Sequence, residues 1–324
     1  MKRSGEFEWI SRYLSPLAGE NSFQLKDDAA LLPVPDGSEL VVTQDAVLEN
    51  IHFLSDDPVD TVAQKALRVN VSDIIAKGAK PFAYSMALGV PDSWEDHEML
   101  RFCKGLEADQ QQYGLSLTGG DTYRSPERLC VSITMFGTVT KGQYKSRMGA
   151  RAGDLLVVSG TIGDGAIGLK VATGELLVKA GEAKNHLSAY RLPNPPLPLA
   201  KAIANHATAS MDISDGLLGD CRKLCEASNV SARIERSQIP LSGAVEKQIK
   251  ADENLWDAVL AGGDDYQCLC TVSPEQWQAF QIAALDDGIS VSEIGKITGD
   301  GASKIYLTNN GVSLSQTVES FTHF

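Results

Sequence analysis

The sequence lacks several features that would place it in familiar protein classes. Its six cysteines form no CxxC pair and have no histidines at zinc spacing, so we predict neither a structural zinc site nor a disulfide framework. No apolar run approaches the roughly 20 residues that span a membrane, and the first residues do not resemble a signal-peptide core. We therefore expect a cytoplasmic protein with no membrane partner.

Positive charge is also scarce. Lysine and arginine total 29 against 42 aspartates and glutamates, which gives a formal net charge of −13 at pH 7. Such a chain repels nucleic-acid phosphates, and no compact basic patch offsets this repulsion, so we expect no nucleic-acid partner. Excess carboxylate can serve solubility alone, but it also suits a protein that binds divalent cations.

The usual nucleotide-binding signatures are missing as well. The chain has no GxxxxGK[ST] loop and no kinase HRD or DFG motif. A GxGxxG pattern does occur as GDGAIG at 163–168. It matches the dinucleotide fingerprint, but the acidic residue expected about 20 residues later does not end a second predicted strand. We favour a glycine-rich turn over an NAD site, and that turn could still face a phosphate.

Hydrophobic patterning predicts strands alternating with helices in both halves of the chain, typical of an α/β or α+β fold. Strands are predicted at 39–45, 82–90, 129–139, 154–159, 231–236, 266–272, 290–297 and 303–308. Helices are predicted at 60–77, 94–113, 165–173, 196–205, 215–227 and 274–286. A glycine-rich basic stretch at 141–154 separates the halves, and we predict domains of residues 1–142 and 143–324. The proline-rich run 191–198 predicts a rigid connector.

Aspartates recur beside glycines or strand ends at six places. These are Asp27–Asp28, Thr43–Asp45, Asn70–Asp73, Gly119–Asp121, Asp212–Asp215 and Gly262–Asp265. Jointly they predict oxygen ligands for Mg²⁺ ions that bind a polyphosphate, with acids from both halves converging on one cleft. Phosphoryl transfer is the expected chemistry, because it depends on alignment and charge neutralisation rather than on covalent work by side chains.

Each acidic group also has an ordinary structural explanation. Asp73 could pair with Lys77 four residues later, and Asp121 could end a strand in a tight turn. Asp212 of DISDG could cap a helix with Asp215 in its first turn, and the paired aspartates of GGDDY could also cap.

In order along the chain, the motifs resemble those of thiamine-monophosphate kinases, within the superfamily of aminoimidazole ribonucleotide synthetases. They are DDAALL, TQDAVLENIHF, NVSDIIAKGAKP, LTGGDT, SRMGARAGDLLVVSGTIGDGAIGL, DISDGL, GGDDY and THF. The resemblance implies an ATP-dependent enzyme that converts thiamine monophosphate to thiamine diphosphate with several Mg²⁺ ions. It also implies a homodimer in which N-terminal-domain strands of two chains form a shared barrel, beside an α/β C-terminal domain.

The resemblance further implies roles for individual residues. The implied metal ligands are Asp28, Thr43, Asp45, Asp73, Asp121, Asp212 and Asp215. ATP would meet Tyr113, Gly120, Asp121, Arg147 and Ser214, and the thiamine phosphate would meet His52 and Asp264. Asp121, Arg147 and Asp212 would act in the transfer itself. His52 could equally be a satisfied strand histidine, and Arg147 could be a surface side chain of a basic linker.

Some positions depart from the family pattern. Lys26 stands in place of a glycine, Gln44 in place of a threonine, and Asp264 in place of a glutamate. Val318 stands where an aromatic residue is expected, with Phe321 the nearest ring. Two alternatives therefore stay open: an enzyme of the same superfamily with another acceptor, and a non-catalytic nucleotide-binding or metal-storing homodimer.

Overall fold

The computed structural model of the protein describes residues 4–314, which divide into two compact units. The first unit contains the residues up to Ile74 together with Lys80–Lys141, and the second contains Ile75–Ala79 together with the residues from Gly142 onward. Each unit has its own β-sheet. None of the helices in the described stretch combines the length and the apolar character needed to cross a membrane.

The first unit is built on a mixed four-stranded sheet. Its elements are α1 (Glu6–Trp9), β1 (Ser38–Leu48), α2 (Val59–Ala76), β2 (Lys80–Val90), α3 (Asp96–Tyr113), β3 (Ser116–Arg124) and β4 (Cys130–Thr140). The strand order is β1-β4-β2-β3, in which β2 and β3 are parallel and the other neighbours are antiparallel. These four strands form an open sheet.

Alternating burial along β4 explains how this sheet is covered. Val131, Ile133 and Met135 are fully buried, and the residues between them are half-buried on the other face. Helices α2 and α3 are joined by a buried ion pair, in which Arg68 Nε lies 2.7 Å from Asp109 Oδ2. Arg68 Nη2 also donates to Asp109 Oδ1 at 2.8 Å, and this two-point geometry offsets the cost of burying both charges.

The second unit is built on a seven-stranded sheet of order β11-β10-β7-β9-β5-β8-β6. Only β7 and β10 pair in parallel among these described strands. The elements are β5 (Leu155–Ser159), α4 (Asp164–Ala172), α5 (Ala180–Arg191), α6 (Leu199–His206), β6 (Ala207–Ile213), α7 (Leu217–Ser228), β7 (Ser231–Glu235), α8 (Gly243–Ala251), α9 (Leu255–Ala261), β8 (Gln267–Val272), α10 (Pro274–Asp286), β9 (Val291–Thr298), β10 (Ile305–Asn309) and β11 (Val312–Ser313).

The mixed α/β character predicted for both halves is confirmed, but several elements were missed. Strands β3 and β6 were not predicted, because their sequences SLTGGDTYR and ATASMDI contain glycine or small polar residues instead of the usual β-branched side chains. Helices α5, α8 and α9 were also missed. The proline-rich run 191–198 lies between α5 and α6.

Two explanations offered for the acidic motifs are wrong. Asp121 lies inside β3, where it pairs with Ala87 of β2, and does not end a strand in a tight turn. Asp212 lies inside β6, where it pairs with Cys268. Helix α7 begins only at Leu217, after a Gly216 N-cap position that has no side-chain cap, so neither Asp212 nor Asp215 caps it.

The N-terminal segment, residues 4–17, is held on the first unit by one carboxylate. Asp96, in the first turn of α3, accepts hydrogen bonds from Trp9 Nε1 at 2.7 Å and from the backbone N–H and Oγ of Ser4 at 2.9 Å each. Trp9, Tyr13 and Leu14 are buried beside it. The Trp9 bond, followed by those from Ser4, lowers the pKa of Asp96 to about 2.

We predict that Asp96→Asn releases this segment. A neutral amide cannot accept all of these bonds, so limited proteolysis should cleave residues 4–17 faster than in wild type. The pKa of Asp96 is about 2 when the segment is bound and close to 4 when it is released. The carboxylate therefore holds the segment above about pH 4 and loses it as the pH falls towards 2. Asp56→Asn, at an exposed position, is the control; equal cleavage of both variants would contradict the prediction.

Candidate functional site

A cavity of about 420 Å³ in the first unit brings several of the predicted site residues together. Its lining includes the polar or glycine residues Asp27, Asp28, Gly119, Gly120, Asp121 and Thr122. It also includes the apolar residues Ile10, Leu14, Leu25, Leu32, Met86, Leu117 and Phe136. A cavity of this size and mixed lining is typical of a small-molecule site.

Strand β3 contributes several residues to the cavity lining. Gly120 has a φ of 147°, and a Cβ there would lie 1.8 Å from Met86 O on the neighbouring strand. Only glycine therefore allows the two strands to pair at this point. The next residue, Asp121, is exposed and borders the cavity. Gly120 of the LTGGDT motif thus allows the strands to pair, and this pairing places Asp121 at the cavity.

Three other predicted metal ligands meet where β1 faces α2. Thr43 Oγ1 donates to Asp73 Oδ2 at 2.5 Å, and the Asp45 N–H donates to Asn70 Oδ1 at 2.9 Å. Asn70 is fully buried and also donates to Ala66 O at 3.0 Å. The NVSD motif therefore ties the helix to the strand. Asn70 is a residue that sequence reasoning did not single out, although it stands in the same motif as Asp73.

His52 and Tyr113 make contacts that are typical of residues with a structural function. His52 Nδ1 accepts a hydrogen bond from the Leu48 N–H at 3.0 Å, which leaves the proton of the neutral ring on Nε2. Tyr113 is only 2% exposed and is not among the residues that line the cavity. Its ring centroid lies 5.9 Å from Arg68 Cζ, and burial raises its pKa to about 12.

In the second unit, the DISDG and GGDDY motifs lie side by side. The Asp264 N–H donates to Ser214 O at 3.0 Å, and the Tyr266 N–H donates to Ile213 O at 2.8 Å. Asp212, at the end of β6, is buried, whereas Ser214 and Asp264 are half-buried. Three predicted site residues of this unit are therefore brought to one place by backbone hydrogen bonds.

Asp220 organises the DISDG turn from within α7. Its Oδ2 accepts the N–H groups of Ser214 and Asp215, both at 2.9 Å. Lys223 Nζ donates to Asp220 Oδ1 at 2.9 Å and also pairs closely with Asp215. Burial raises the pKa of Asp220, and Lys223 opposes that shift. No role was predicted for Asp220 from the sequence, and the structure shows that it holds the DISDG turn.

Asp265 binds the backbone N–H groups of the GDGAIG turn, which we suggested could face a phosphate. Its carboxylate accepts the N–H groups of Gly163 at 2.7 Å and of Gly165 at 3.1 Å, at the start of α4. These are the donors of the GDGAIG turn, and they are bound by a side chain of the protein itself. The suggested capping function for the GGDDY acids is thus confirmed for Asp265, which caps a helix distant in sequence.

The last two predicted residues to place are Arg147 and Asp28. Arg147 has an exposed side chain, and its carbonyl oxygen accepts a hydrogen bond from Ser228 Oγ at 2.7 Å in the second unit. Asp28 is exposed at the cavity of the first unit. Of the departures from the family pattern, Gln44 Nε2 donates to Ser132 Oγ at 3.2 Å and Lys26 Nζ to Gln24 Oε1 at 3.0 Å. Val318 and Phe321 lie outside the described residues.

No cluster of three or more His, Cys, Asp or Glu side chains that could hold a metal occurs within residues 4–314. This finding does not exclude Mg²⁺, because Mg²⁺ keeps several waters and is usually bound by one or two carboxylates together with substrate phosphates. The carboxylate and hydroxyl oxygens at the cavity and at β1 are ligands of the type that it prefers.

Comparison with known proteins adds the family. Residues 26–139 match the N-terminal domain of AIR synthase related proteins, and residues 151–308 match their C-terminal domain. The thiamine-monophosphate kinase of Caulobacter vibrioides is 39% identical over 307 residues, which cover 93% of this chain and 86% of that protein. The chain belongs to the thiamine-monophosphate kinase family. The resemblance inferred from the ordered motifs is thereby confirmed.

Solved structures of thiamine-monophosphate kinases share the two-domain fold. The enzyme from Stenotrophomonas maltophilia K279a superposes with a TM-score of 0.80 at 31% identity and covers 90% of this chain and 91% of its own. AaThiL complexed with AMPPCP and TMP superposes with a TM-score of 0.79 at 29% identity, over 99% of this chain and 97% of its own.

We predict that Asp265 makes stability depend on pH. Burial raises its pKa to about 7, against the effect of the two glycine N–H groups, and the neighbouring Asp164 and Asp264 add to the rise. Between about pH 4 and pH 7 the folded state holds a proton that the unfolded state has lost. The free energy of unfolding should therefore fall as the pH rises through this window, by up to about 1.4 kcal/mol per pH unit.

Urea unfolding of wild type and Asp265→Asn from pH 4 to pH 8 measures this effect. All other groups titrate in both proteins, so the stability difference between them isolates the carboxyl group. The advantage of wild type should shrink towards pH 7 and then stay constant. A difference that does not change with pH would contradict the prediction.

Proposed function

We propose that this protein transfers the terminal phosphoryl group of ATP to thiamine monophosphate and forms thiamine diphosphate. The observation that carries the proposal is the match over nearly the whole chain to AaThiL complexed with AMPPCP and TMP, an ATP analogue and the acceptor. The family relationship at 39% identity supports the same activity.

We assign the nucleotide side of the reaction to the cavity of the first unit. Asp28, Gly120 and Asp121, to which the motifs give metal and ATP contacts, all line it. The apolar residues of its lining suit a base, and the polar ones suit phosphates accompanied by cations. Ser214 and Arg147 of the second unit stay predicted ATP contacts, and Arg147 offers a planar fork for phosphate oxygens. Tyr113 is the weakest of the predicted ATP contacts, because its ring is buried against Arg68.

Mg²⁺ fits the oxygen donors that these motifs present. In the first unit the ligands would be Asp28, Thr43, Asp45, Asp73 and Asp121, and in the second they would be Asp212 and Asp215. When bound, Mg²⁺ neutralises charge on the phosphates. The protein's own residues would orient the two substrates, because phosphoryl transfer depends mainly on alignment.

The acceptor supplies its own nucleophile. An oxygen of the thiamine monophosphate phosphate forms a bond to the γ-phosphorus of ATP, while the bond from that phosphorus to the β–γ bridging oxygen breaks and ADP leaves. The attacking oxygen is already ionised near neutral pH, so no side chain has to remove a proton. His52 and Asp264 would contact this acceptor, and Asp121, Arg147 and Asp212 would align the reacting phosphates.

We also propose that the protein works as a homodimer, with the domain boundary near residue 142 and the two N-terminal sheets forming a shared barrel. The open sheet of the first unit supports this proposal. On its edge strand β1, Leu40 is 43% exposed and Val42 is 53% exposed, on either side of the buried Val41. Exposed apolar side chains on an edge strand are a surface that proteins usually cover.

We predict that the purified protein forms thiamine diphosphate from thiamine monophosphate and ATP, and that EDTA abolishes the activity until Mg²⁺ is restored. Asp121→Asn should lower kcat by about 100-fold or more, the size of effect seen when one electrostatic contact to a transition state is removed. Its melting temperature should hardly change, because Asp121 is exposed. Product formation is measured by chromatography.

Glu107→Gln, at an exposed position of α3, is the matched control and should keep wild-type activity. Other phosphorylated and amide acceptors are assayed in parallel, because Asp264 and Gln44 depart from the family pattern. Turnover of another acceptor in preference to thiamine monophosphate would replace the proposed substrate. ATP binding without formation of any product would indicate a non-catalytic nucleotide-binding protein instead of the proposed enzyme.

For the dimer, we predict that Val42→Asp weakens self-association, because it places a charge on the apolar edge strand. Sedimentation velocity should show a dimer for wild type and a shift towards monomer for the variant. Leu285→Asp, on α10 of the second unit where Leu285 is 73% exposed, is the control and should stay dimeric. A monomeric wild-type protein would refute the shared barrel.

A further inference from the structure

The proposed reaction makes no use of Asp265, although this carboxylate is among the most constrained groups of the second unit. It is only 6% exposed. Its two oxygens accept the N–H groups of Gly163 and Gly165, one oxygen to each. A buried carboxylate persists only where such bonds repay its lost hydration. The two N–H groups at the start of α4 therefore hold the carboxylate in place, and the carboxylate holds that segment in place.

The loop that carries Asp265 has an unusual backbone. Asp264 has a φ of 71° and Tyr266 has a φ of 49°, so the residues on both sides of Asp265 are left-handed. Non-glycine residues adopt this conformation only at a cost in free energy, and it persists when surrounding contacts impose it. The Asp265 side chain between them is hydrogen-bonded to another loop, and this contact helps to impose the conformation.

Close packing connects the same two loops. A Cβ at Gly165 would lie 2.3 Å from Asp264 O, so the GDGAIG turn touches the backbone of Asp264 directly. On its other side, the Asp264 N–H donates to Ser214 O. Asp264 is thus held between the turn before α4 and the DISDG motif, and the carboxylate of its neighbour Asp265 closes this arrangement.

We propose that Asp265 is the positioning residue for the acceptor contact, because it locks the GGDDY loop onto the GDGAIG turn and thereby fixes the direction of Asp264. This inference rests on the proposed function, in which Asp264 contacts the thiamine phosphate. In this proposal the glycine-rich turn has a structural function, because its N–H groups bind the Asp265 carboxylate. It also separates the paired aspartates, of which Asp264 meets the ligand and Asp265 orients it.

The first test is Asp265→Asn, which keeps the shape of the side chain. The amide has one acceptor oxygen, so its NH₂ group faces one of the two glycine N–H donors and that bond is lost. We expect the KM for thiamine monophosphate to rise about tenfold or more at pH 8, with the KM for ATP changed less than about twofold. A merely structural effect would lower the active fraction of enzyme and leave both KM values unchanged.

The second test disturbs the same contact without touching the carboxylate. Gly165→Ala adds a methyl group against Asp264 O and should raise the KM for thiamine monophosphate in the same selective way. Gly181→Ala in α5 is the matched control, because its new Cβ would meet no atom within 4 Å. Equal KM values for all three variants and wild type would overturn the proposal.

Hydrogen exchange keeps the inference separate from the proposed function. In Asp265→Asn, the amides of 160–167 and 262–266 should exchange faster than in wild type, and those of β4 should not change. Unchanged exchange at 262–266 would overturn the locking of the loop whatever the substrate is. If wild type forms no thiamine diphosphate but the exchange differs as expected, the proposed substrate fails and the lock stands. A variant that affects both KM values equally would instead reject the selective link to the acceptor.

Discussion

Hydrogen bonds from loop N–H groups to buried aspartates fix the segments that carry the candidate site. Asp220 and Asp265 each accept two such bonds, from the DISDG turn and from the GDGAIG turn. A buried N–H group without a partner costs about as much free energy as a lost hydrogen bond, and bonds to an ionised acceptor are roughly twice as strong as neutral ones. One carboxylate therefore satisfies two donors and holds a turn that no regular secondary structure would hold.

Neighbouring acids in one motif consequently do different work. In GGDDY, Asp265 is buried against another loop, whereas Asp264 is half-buried. In the DISDG region, Asp220 is buried beneath the turn and Asp215 is paired with Lys223 at its surface. Phosphoryl transfer is fastest when the carboxylates are already oriented before the substrates bind, because reorganisation during the reaction would slow it. Buried aspartates such as Asp220 and Asp265, which hold the loops that carry the other acids, meet this requirement.

The first unit uses the same chemistry with other partners. Thr43 on β1 donates to Asp73 on α2, so these two predicted ligands fix each other, whereas the backbone of Asp45 is held by Asn70. Ile10 and Leu14 of the N-terminal segment line the cavity, and this segment is bound by Asp96. Polar groups thus help to position the lining of the cavity, and the glycine at position 120 brings Asp121 to its edge.

The sequence by itself determined the family, the mixed α/β character and most helices and strands, because periodicity and motif order are local properties of the chain. It did not reveal β3 and β6, whose residues are glycine-containing or small and polar and form strands only because neighbouring strands pair with them. Only the tertiary structure decided which aspartates face inward. That choice depends on N–H donors far away in sequence, such as Gly163, which lies 102 residues from Asp265. Aspartates in similar local sequences therefore differ in burial only because the tertiary structure places different groups beside them.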